Sequence, residues 1–301
     1  MPESSVPPHI QGNKKLNNTN KPAPSVRFIV ALNKLFPKVP HPFNINSDSK
    51  FGYSEWEFER GSQAIGKYSP SYTAEDILSG KDVLDCGCGG GGKTVYYASN
   101  GAKSVTGLDI NDKDLASAAE FAELKSVSER TRFVLGSACD MPFPDSSFDS
   151  VIMNDFFEHV GDPLSALKES MRVLRDGGRL YINFPPYHHP WGAHLSDAIN
   201  IPWVHLFFSE KHLIEAYSIL VSKYPDSNYR INLRTGGCKD RLGYINHMSI
   251  KKARDIIKKY GFIPEYHKKL PLKRLLKPLI MFESFTGTVV YVFKKEQKSI
   301  L

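Results

Sequence analysis

The sequence predicts an α/β fold: a mostly parallel, seven-stranded sheet with helices on both faces and a segment inserted after the fifth strand. Three observations predict it. From residue 82 onward, short β-rich runs alternate with helical runs; a run of glycines directly follows the first β run; and the alternation stops near residue 186 and resumes near residue 249. Alternating β and α units with short connections produce a parallel sheet covered on both sides.

Each element has its own signal. Residues 1–25 are rich in Pro and Asn and lack periodicity, so they are expected to form a tail. Residues 26–36 read as a short amphipathic helix ended by Pro37, and 51–68 as a second helix containing Tyr53, Trp56 and Phe58. Together 26–80 make an N-terminal helical segment, and 81–301 the main domain. Strands are expected at 82–85, 104–110, 131–137, 148–153 and 179–184, with helices at 93–100, 112–127 and 163–174 between them. Gly101 stops the first of these helices; Pro163 begins the third and Gly177 lies just past its end. Residues 186–248 hold four prolines, with Pro185 just before them, and a dense set of aromatics and histidines, which suits an inserted cap better than more sheet. An N-capped helix at 249–260, ended by Gly261, and strands at 262–267 and 288–293 complete the count.

Composition narrows the class. With 41% hydrophobic and 24% charged residues among 301, the chain is suited to a globular fold and not to wholesale disorder, collagen or coiled coil. No apolar run approaches the roughly 18 to 20 residues that cross a bilayer, and residues 1–24 lack the apolar core of a signal peptide, so a cytoplasmic protein is expected. Of four cysteines, Cys86 and Cys88 are one residue apart, too close for a disulfide framework. Net charge is +7, distributed as +2 over 1–80, −5 over 81–185 and +10 over 186–301. The basic last third suggests an anionic partner or an ordinary solvated lysine-rich face.

The chemistry begins at the glycines. Val83-Leu84-Asp85-Cys86-Gly87-Cys88-Gly89-Gly90-Gly91-Gly92 puts five glycines into six residues at a strand-to-helix turn, where bare backbone can approach a ligand. The run fits Asp-x-Gly-x-Gly-x-Gly through Asp85, Gly87, Gly89 and Gly91, and also the dinucleotide pattern Gly-x-Gly-x-x-Gly through Gly87, Gly89 and Gly92. The next strand ends at Asp109-Ile110, where a carboxylate can accept both hydroxyls of a ribose.

With these motifs in place, residues 80–185 and the closing strand resemble a class I S-adenosylmethionine-dependent methyltransferase, a Rossmann-like fold. The glycine loop resembles the family's first motif and Gly107-Leu108-Asp109 its ribose motif. Gly136-Ser137-Ala138-Cys139-Asp140 is similar to the adenine-side motif, and Asn154-Asp155-Phe156-Phe157-Glu158-His159-Val160 to the loop after the fourth strand. The segment from Met141 through Asp149 and the turn Leu174-Arg175-Asp176-Gly177-Gly178 match in order as well. The resemblance implies S-adenosylmethionine as cofactor. Asp85, Gly87, Gly89 and Gly91 would hold its methionine portion, Asp109 with Ile110 its ribose side, and Ala138, Cys139 and Asp140 its adenine. Asn154 would face the crevice at the end of its strand.

Methyl transfer to a hydroxyl needs alignment and a base that titrates near neutrality, for which histidine is suited. His188, His189, His194 and His205 follow the fifth strand among Trp191, Trp203, Phe207 and Phe208. His194 or His205 is expected as the base, with Asp197 orienting His194 from three residues along a helix. Packing histidines under a lid is the competing explanation, and His159 is expected to be structural. The spacing of His189, His194, Asp197 and His205 matches no strong ligand motif, so no metal is expected. The acceptor is expected to be a small molecule or a glycan- or lipid-linked intermediate, methylated on oxygen or, second, on an amine. Residues 268–282 mix lysines with large apolar side chains and could lie on an anionic membrane; nucleic acid is a weaker partner. An NAD-dependent oxidoreductase and a catalytically silent member of the fold are the rival readings.

Overall fold

The computed structural model describes residues 21–45, 50–238 and 240–296. The expected tail lies, over residues 1–20, outside the described residues. Its last residues already belong to a helix, Pro24–Leu32, entered through a proline in the first turn.

Seven strands form one sheet: β1 (Asp82–Cys86), β2 (Ser104–Asp109), β3 (Thr131–Leu135), β4 (Phe148–Asn154), β5 (Leu174–Phe184), β6 (Tyr266–Pro271) and β7 (Thr286–Lys294). Their order is β3-β2-β1-β4-β5-β7-β6. Neighbours from β3 to β5 run parallel, and β7 lies antiparallel to both β5 and β6. Strand order reverses between β1 and β4, and such a switch point opens a crevice at the carboxyl ends of the strands. Helices Gly92–Ser99, Asp112–Leu124 and Pro163–Val173 make the crossovers. The last two start at Asn111 and Asp162, whose side chains accept the backbone N–H of Lys113 and of Leu164 and Ser165. The sheet buries one face on Leu84, Val151, Leu180 and Phe293 and the other on Val83, Val95, Phe121 and Val292.

Four expected boundaries shift, each for a local reason. The 51–68 helix is two helices, Gly52–Glu59 and Gly61–Gly66, because the chain passes against Tyr96 at Gly61; a Cβ there would lie 2.1 Å from the ring. The 26–36 helix ends at Leu32 and tightens into a 3-10 turn, Asn33–Leu35. β5 starts at Leu174, which pairs with Phe148 across an irregularity in the ladder. β6 begins four residues later than expected, since Pro264 has no N–H to give a ladder and pairing with β7 starts at Tyr266.

Between β5 and the helix Ile250–Lys259, the described residues form helices and loops and no strand, among them the helices Glu210–Val221 and Ser227–Thr235. This stretch has its own core of Leu195, Ile199, Val204, Leu213 and Tyr217, and the N-terminal helix adds Val26 and Ile29 to it. Asn33 stitches the two together: its Nδ2 donates to the Ala198 carbonyl (2.8 Å) and its Oδ1 accepts the Asn200 N–H (2.6 Å).

Candidate functional site

The glycine loop leaves β1 at its carboxyl end and turns with Gly87, Gly89 and Gly91 all at positive φ, the region that side chains disfavour. At Gly87 the requirement is doubled, because a Cβ would sit 2.0 Å from the Phe156 ring. At Gly89 a Cβ would meet nothing within 4 Å, so bare backbone faces open space. The loop is fastened to the neighbouring strand: Gly87 and Cys88 donate to the Leu108 carbonyl (2.8 and 3.2 Å), and Gly89 N–H donates to Asp109 Oδ2 (2.9 Å).

Asp109 stands where expected, half-buried at the end of β2. Its other oxygen accepts the Asn111 N–H (3.0 Å), so two backbone donors fix the carboxylate while lone pairs remain on each oxygen. Beside it the apolar Ile110 is 77% exposed, a surface suited to a planar ring. Ala138, Cys139 and Asp140 form a tight turn in which Cys139 N–H donates to Ser137 Oγ (3.1 Å) and Asp140 N–H to the Ser137 carbonyl (3.2 Å). Ala138 is buried and the Asp140 side chain exposed.

Asp85 is buried beneath the loop and accepts the Thr94 hydroxyl (2.7 Å). Burial pushes its carboxyl up to about 7. Asn154 ends β4 as expected, but its amide is engaged within the protein: Nδ2 donates to Tyr97 Oη (2.6 Å), and Oδ1 accepts Tyr68 Oη–H (2.8 Å) and the Asn183 amide. It shapes the crevice floor and holds Tyr68 and Tyr97 in place. Sequence reasoning missed the surrounding charges. Lys67 donates to both oxygens of Asp155 (2.9 and 3.0 Å) and to Asn183 Oδ1 (2.8 Å). Lys93 pairs with Glu57 at 2.9 Å, and Ser54 Oγ donates to the Gly90 carbonyl (2.7 Å), so the helix Gly52–Glu59 closes over the loop.

The expected His194–Asp197 pair does not form. Pro190 and Gly192 break the segment into turns, with His194 itself at φ +54°, so no helix carries the two residues. Asp197 is buried on two arginines instead, Arg234 at 3.2 Å and Arg230 at 3.5 Å, and accepts Tyr217 Oη–H (2.7 Å). His205 is buried with Nε2 at 2.8 Å from the Tyr187 carbonyl, to which it donates. His194 faces His159, with ring centroids 4.8 Å apart. Burial holds His159 down at about 4 and His194 well below its ordinary value, so both imidazoles are neutral at pH 7. The loop after β4 contributes Glu158, whose carboxyl burial drives well upward. Glu158, Pro185, Tyr187, Gly192, His194, Ile245, His247 and Met248 surround a narrow cavity at the carboxyl ends of β4 and β5, closed to a water molecule as it stands. Adjacent Glu158 and His159 were visible in the sequence; their convergence with His194, 35 residues later, was not. A separate cleft of about 330 Å³ lies at the opposite edge, against the first residues of β1 and β2, remote from the glycine loop.

Fold and site define a nucleoside-binding α/β domain whose loop shelters a buried, unpaired carboxylate. Residues 84–182 match the protein-family profile described as "Methyltransferase domain". The chain is 37% identical over 131 residues to sterol 24-C-methyltransferase ERG6B of Gibberella zeae, covering 43% of this chain and 33% of that protein. It is 35% identical over 104 residues to 27-O-demethylrifamycin SV methyltransferase of Amycolatopsis mediterranei, covering 35% and 38%. With norajmaline N-methyltransferase of Rauvolfia serpentina it shares 30% identity over 102 residues, covering 34% and 35%. Residues 84–182 therefore carry a methyltransferase domain, with S-adenosylmethionine indicated as its cofactor. The chain spans about a third of the length of these curated relatives, and the nicotinamide reading falls away.

The residues present fit that cofactor. Asp85 offers a buried carboxylate to a cationic end, Asp109 offers fixed acceptors to a ribose, and the open space over Gly89 leaves room for the chain between them. The cofactor supplies an electrophilic methyl on a sulfonium. Asp85 would hold that end, the bare loop from Gly87 to Gly91 would let the cofactor lie against the backbone, and Asp109 would hold its ribose.

Proposed function

We propose that the protein transfers a methyl group from S-adenosylmethionine to a hydroxyl of a compact small-molecule or glycan- or lipid-linked acceptor, with residues 186–248 as its cap. The observation that supports this best is the cavity beyond β4 and β5, where Glu158, Tyr187 and His194 converge beside the loop that bears Asp155 and Phe156. A hydroxyl reaching it when residues 186–248 part from the loop after β4 would meet the Glu158 carboxyl and two imidazoles; burial keeps those imidazoles weaker bases than a free histidine, so exposure on acceptor entry is what would restore their basicity. His205 is the weaker of the two expected bases, since one ring nitrogen is fixed on a carbonyl.

Relatives of 30–37% identity are named for transfer to carbon, oxygen and nitrogen, so similarity at this level leaves the acceptor atom to the chemistry of the site. Incubating the full chain with methyl-labelled cofactor and paired panels of hydroxylated and amino acceptors tests the reading. Label should enter hydroxylated acceptors, and His194→Ala should lower kcat by about 10²-fold or more, the usual contribution of a proton-handling group. Label entering amines alone, or unchanged turnover in His194→Ala, would remove the hydroxyl reading. Met281 and Phe282, 74% and 56% exposed beside the lysine-rich 268–277 stretch, support delivery of a lipid-linked acceptor from an anionic surface. Co-sedimentation with phosphatidylserine vesicles, reduced in Met281→Ser/Phe282→Ser, is the corresponding check.

A further inference from the structure

Four carboxylates are fully buried among the described residues: Glu57, Asp85, Glu158 and Asp197. Glu57 has Lys93, and Asp197 has Arg230 and Arg234. Asp85 lies at the cofactor loop, where a cationic ligand is expected. Glu158 is left with no lysine or arginine, and neither of its oxygens meets a hydrogen-bond donor from another residue. Lys67 is in contact with Asp155 and the nearby arginines with Asp197, so the positive field of Lys67 and Lys93 reaches Glu158 only from a distance.

What faces Glu158 is a pair of imidazoles. His159 Nδ1 lies 2.9 Å from the Tyr244 carbonyl, which accepts only, so Nδ1 carries the proton and Nε2 presents a lone pair. That lone pair is 3.6 Å from Glu158 Oε1, also an acceptor when ionised. When Glu158 is ionised, two acceptors face each other in a buried space, and either a proton or a metal cation between them removes the conflict. A histidine whose far nitrogen is fixed on a carbonyl is the usual arrangement of a metal ligand. His194, in strained backbone at φ +54°, brings a third donor atom, and the three donors lie within 4.8 Å of one another. Tetrahedral zinc bonds of 2.0–2.1 Å put donors about 3.4 Å apart, so the Glu158–His159 pair at 3.6 Å is close to that spacing, with the His194 donor within 4.8 Å of both.

We propose that Glu158, His159 and His194 bind one divalent transition-metal ion, Zn²⁺ by ligand type, with a fourth position that no side chain among the described residues fills. Two imidazoles and a carboxylate with an open position form a set that suits zinc acting on a bound oxygen. Binding of the ion is independent of the methyl-transfer reading. Its use there, lowering the pKa of the acceptor hydroxyl, rests on that reading and takes over from His194 the task of easing the proton off, since a metal-bound ring nitrogen has no lone pair to accept one.

The full chain, stripped with chelator and dialysed, is titrated with Zn²⁺ against a fluorescent chelator and separately with Co²⁺, read by visible absorption. The expected result is one ion per chain and intense Co²⁺ d–d bands. Glu158→Gln and His194→Ala should each weaken Zn²⁺ by at least tenfold while His205→Ala leaves it unchanged. Circular dichroism and binding of the demethylated cofactor check that the variants fold. If a variant fails to fold, the wild-type Co²⁺ spectrum decides by itself. No stoichiometric ion in the wild type, or undiminished affinity in both variants, overturns the proposal. Loss of cofactor binding with zinc binding intact would instead count against the methyltransferase reading alone.

Discussion

Replacing Asp85 by Asn separates what the carboxylate costs the fold from what it does for the ligand. Asp85 is 3% exposed, holds one hydrogen bond from Thr94, and has its carboxyl raised from 3.8 to about 7 by burial. Between those two values the folded protein keeps a proton that the unfolded chain has released. The penalty is therefore absent below pH 3.8, grows as pH rises, and is complete above pH 7. A shift of about 3 pKa units corresponds to about 4 kcal/mol, an upper figure for a site that can relax or admit water. Asn cannot ionise yet can still accept the Thr94 hydroxyl, so Asp85→Asn should be more stable than the wild type at pH 8 by up to that amount. For a domain of this size that is a rise in Tm on the order of 10 °C. The advantage should shrink toward zero near pH 4. Thermal unfolding followed by circular dichroism at pH 8, 6 and 4.5 measures it. S-Adenosylmethionine should raise the wild-type Tm at pH 8 and leave the variant unmoved, and wild-type affinity should fall as pH drops below about 7. A variant less stable than wild type at pH 8, or a difference that does not vary with pH, would refute the reasoning.

Other perturbations have equally defined outcomes. Gly87→Ala places a Cβ 2.0 Å from Phe156 at φ +73°, and should destabilise by about 2–4 kcal/mol in urea titration while abolishing cofactor binding. Asp197→Ala leaves buried Arg234 without its carboxylate, while Arg230 keeps Asp226, and should lower stability by about 3–5 kcal/mol; a loss under 1 kcal/mol would mean that the pair carries little. Asn33→Ala removes both bonds between the N-terminal helix and the 198–200 turn, and should speed amide exchange in Pro24–Leu32 with β1 to β5 unchanged.

The parts of the site that the sequence reveals are those built from neighbours. Asp85 through Gly91 lie on one turn, and Asp109 ends the strand registered beside it, so strand periodicity and glycine spacing were enough to bring them together. The alternation of β and α runs likewise carried the order of the first five strands. What stayed hidden is long-range. Asp197 finds Arg234 37 residues away and Tyr217 20 away, so its short spacing from His194 suggested the wrong partner. Lys67 reaches Asp155 across 88 residues, and Asn33 reaches Ala198 across 165. Neither leaves a local pattern. The late start of β6 was legible in principle, since Pro264 sits inside the run that was read as strand.

Calorimetric titration of the full chain with S-adenosylmethionine, its demethylated product and NAD, repeated on Asp109→Ala, tests the central claim most directly. The account predicts binding of the first two at one per chain and none of NAD. It also predicts a loss of about 1–3 kcal/mol in Asp109→Ala, from the hydrogen bonds to a charged acceptor that it removes. Saturable binding of NAD without S-adenosylmethionine, or an affinity indifferent to Asp109, would contradict it.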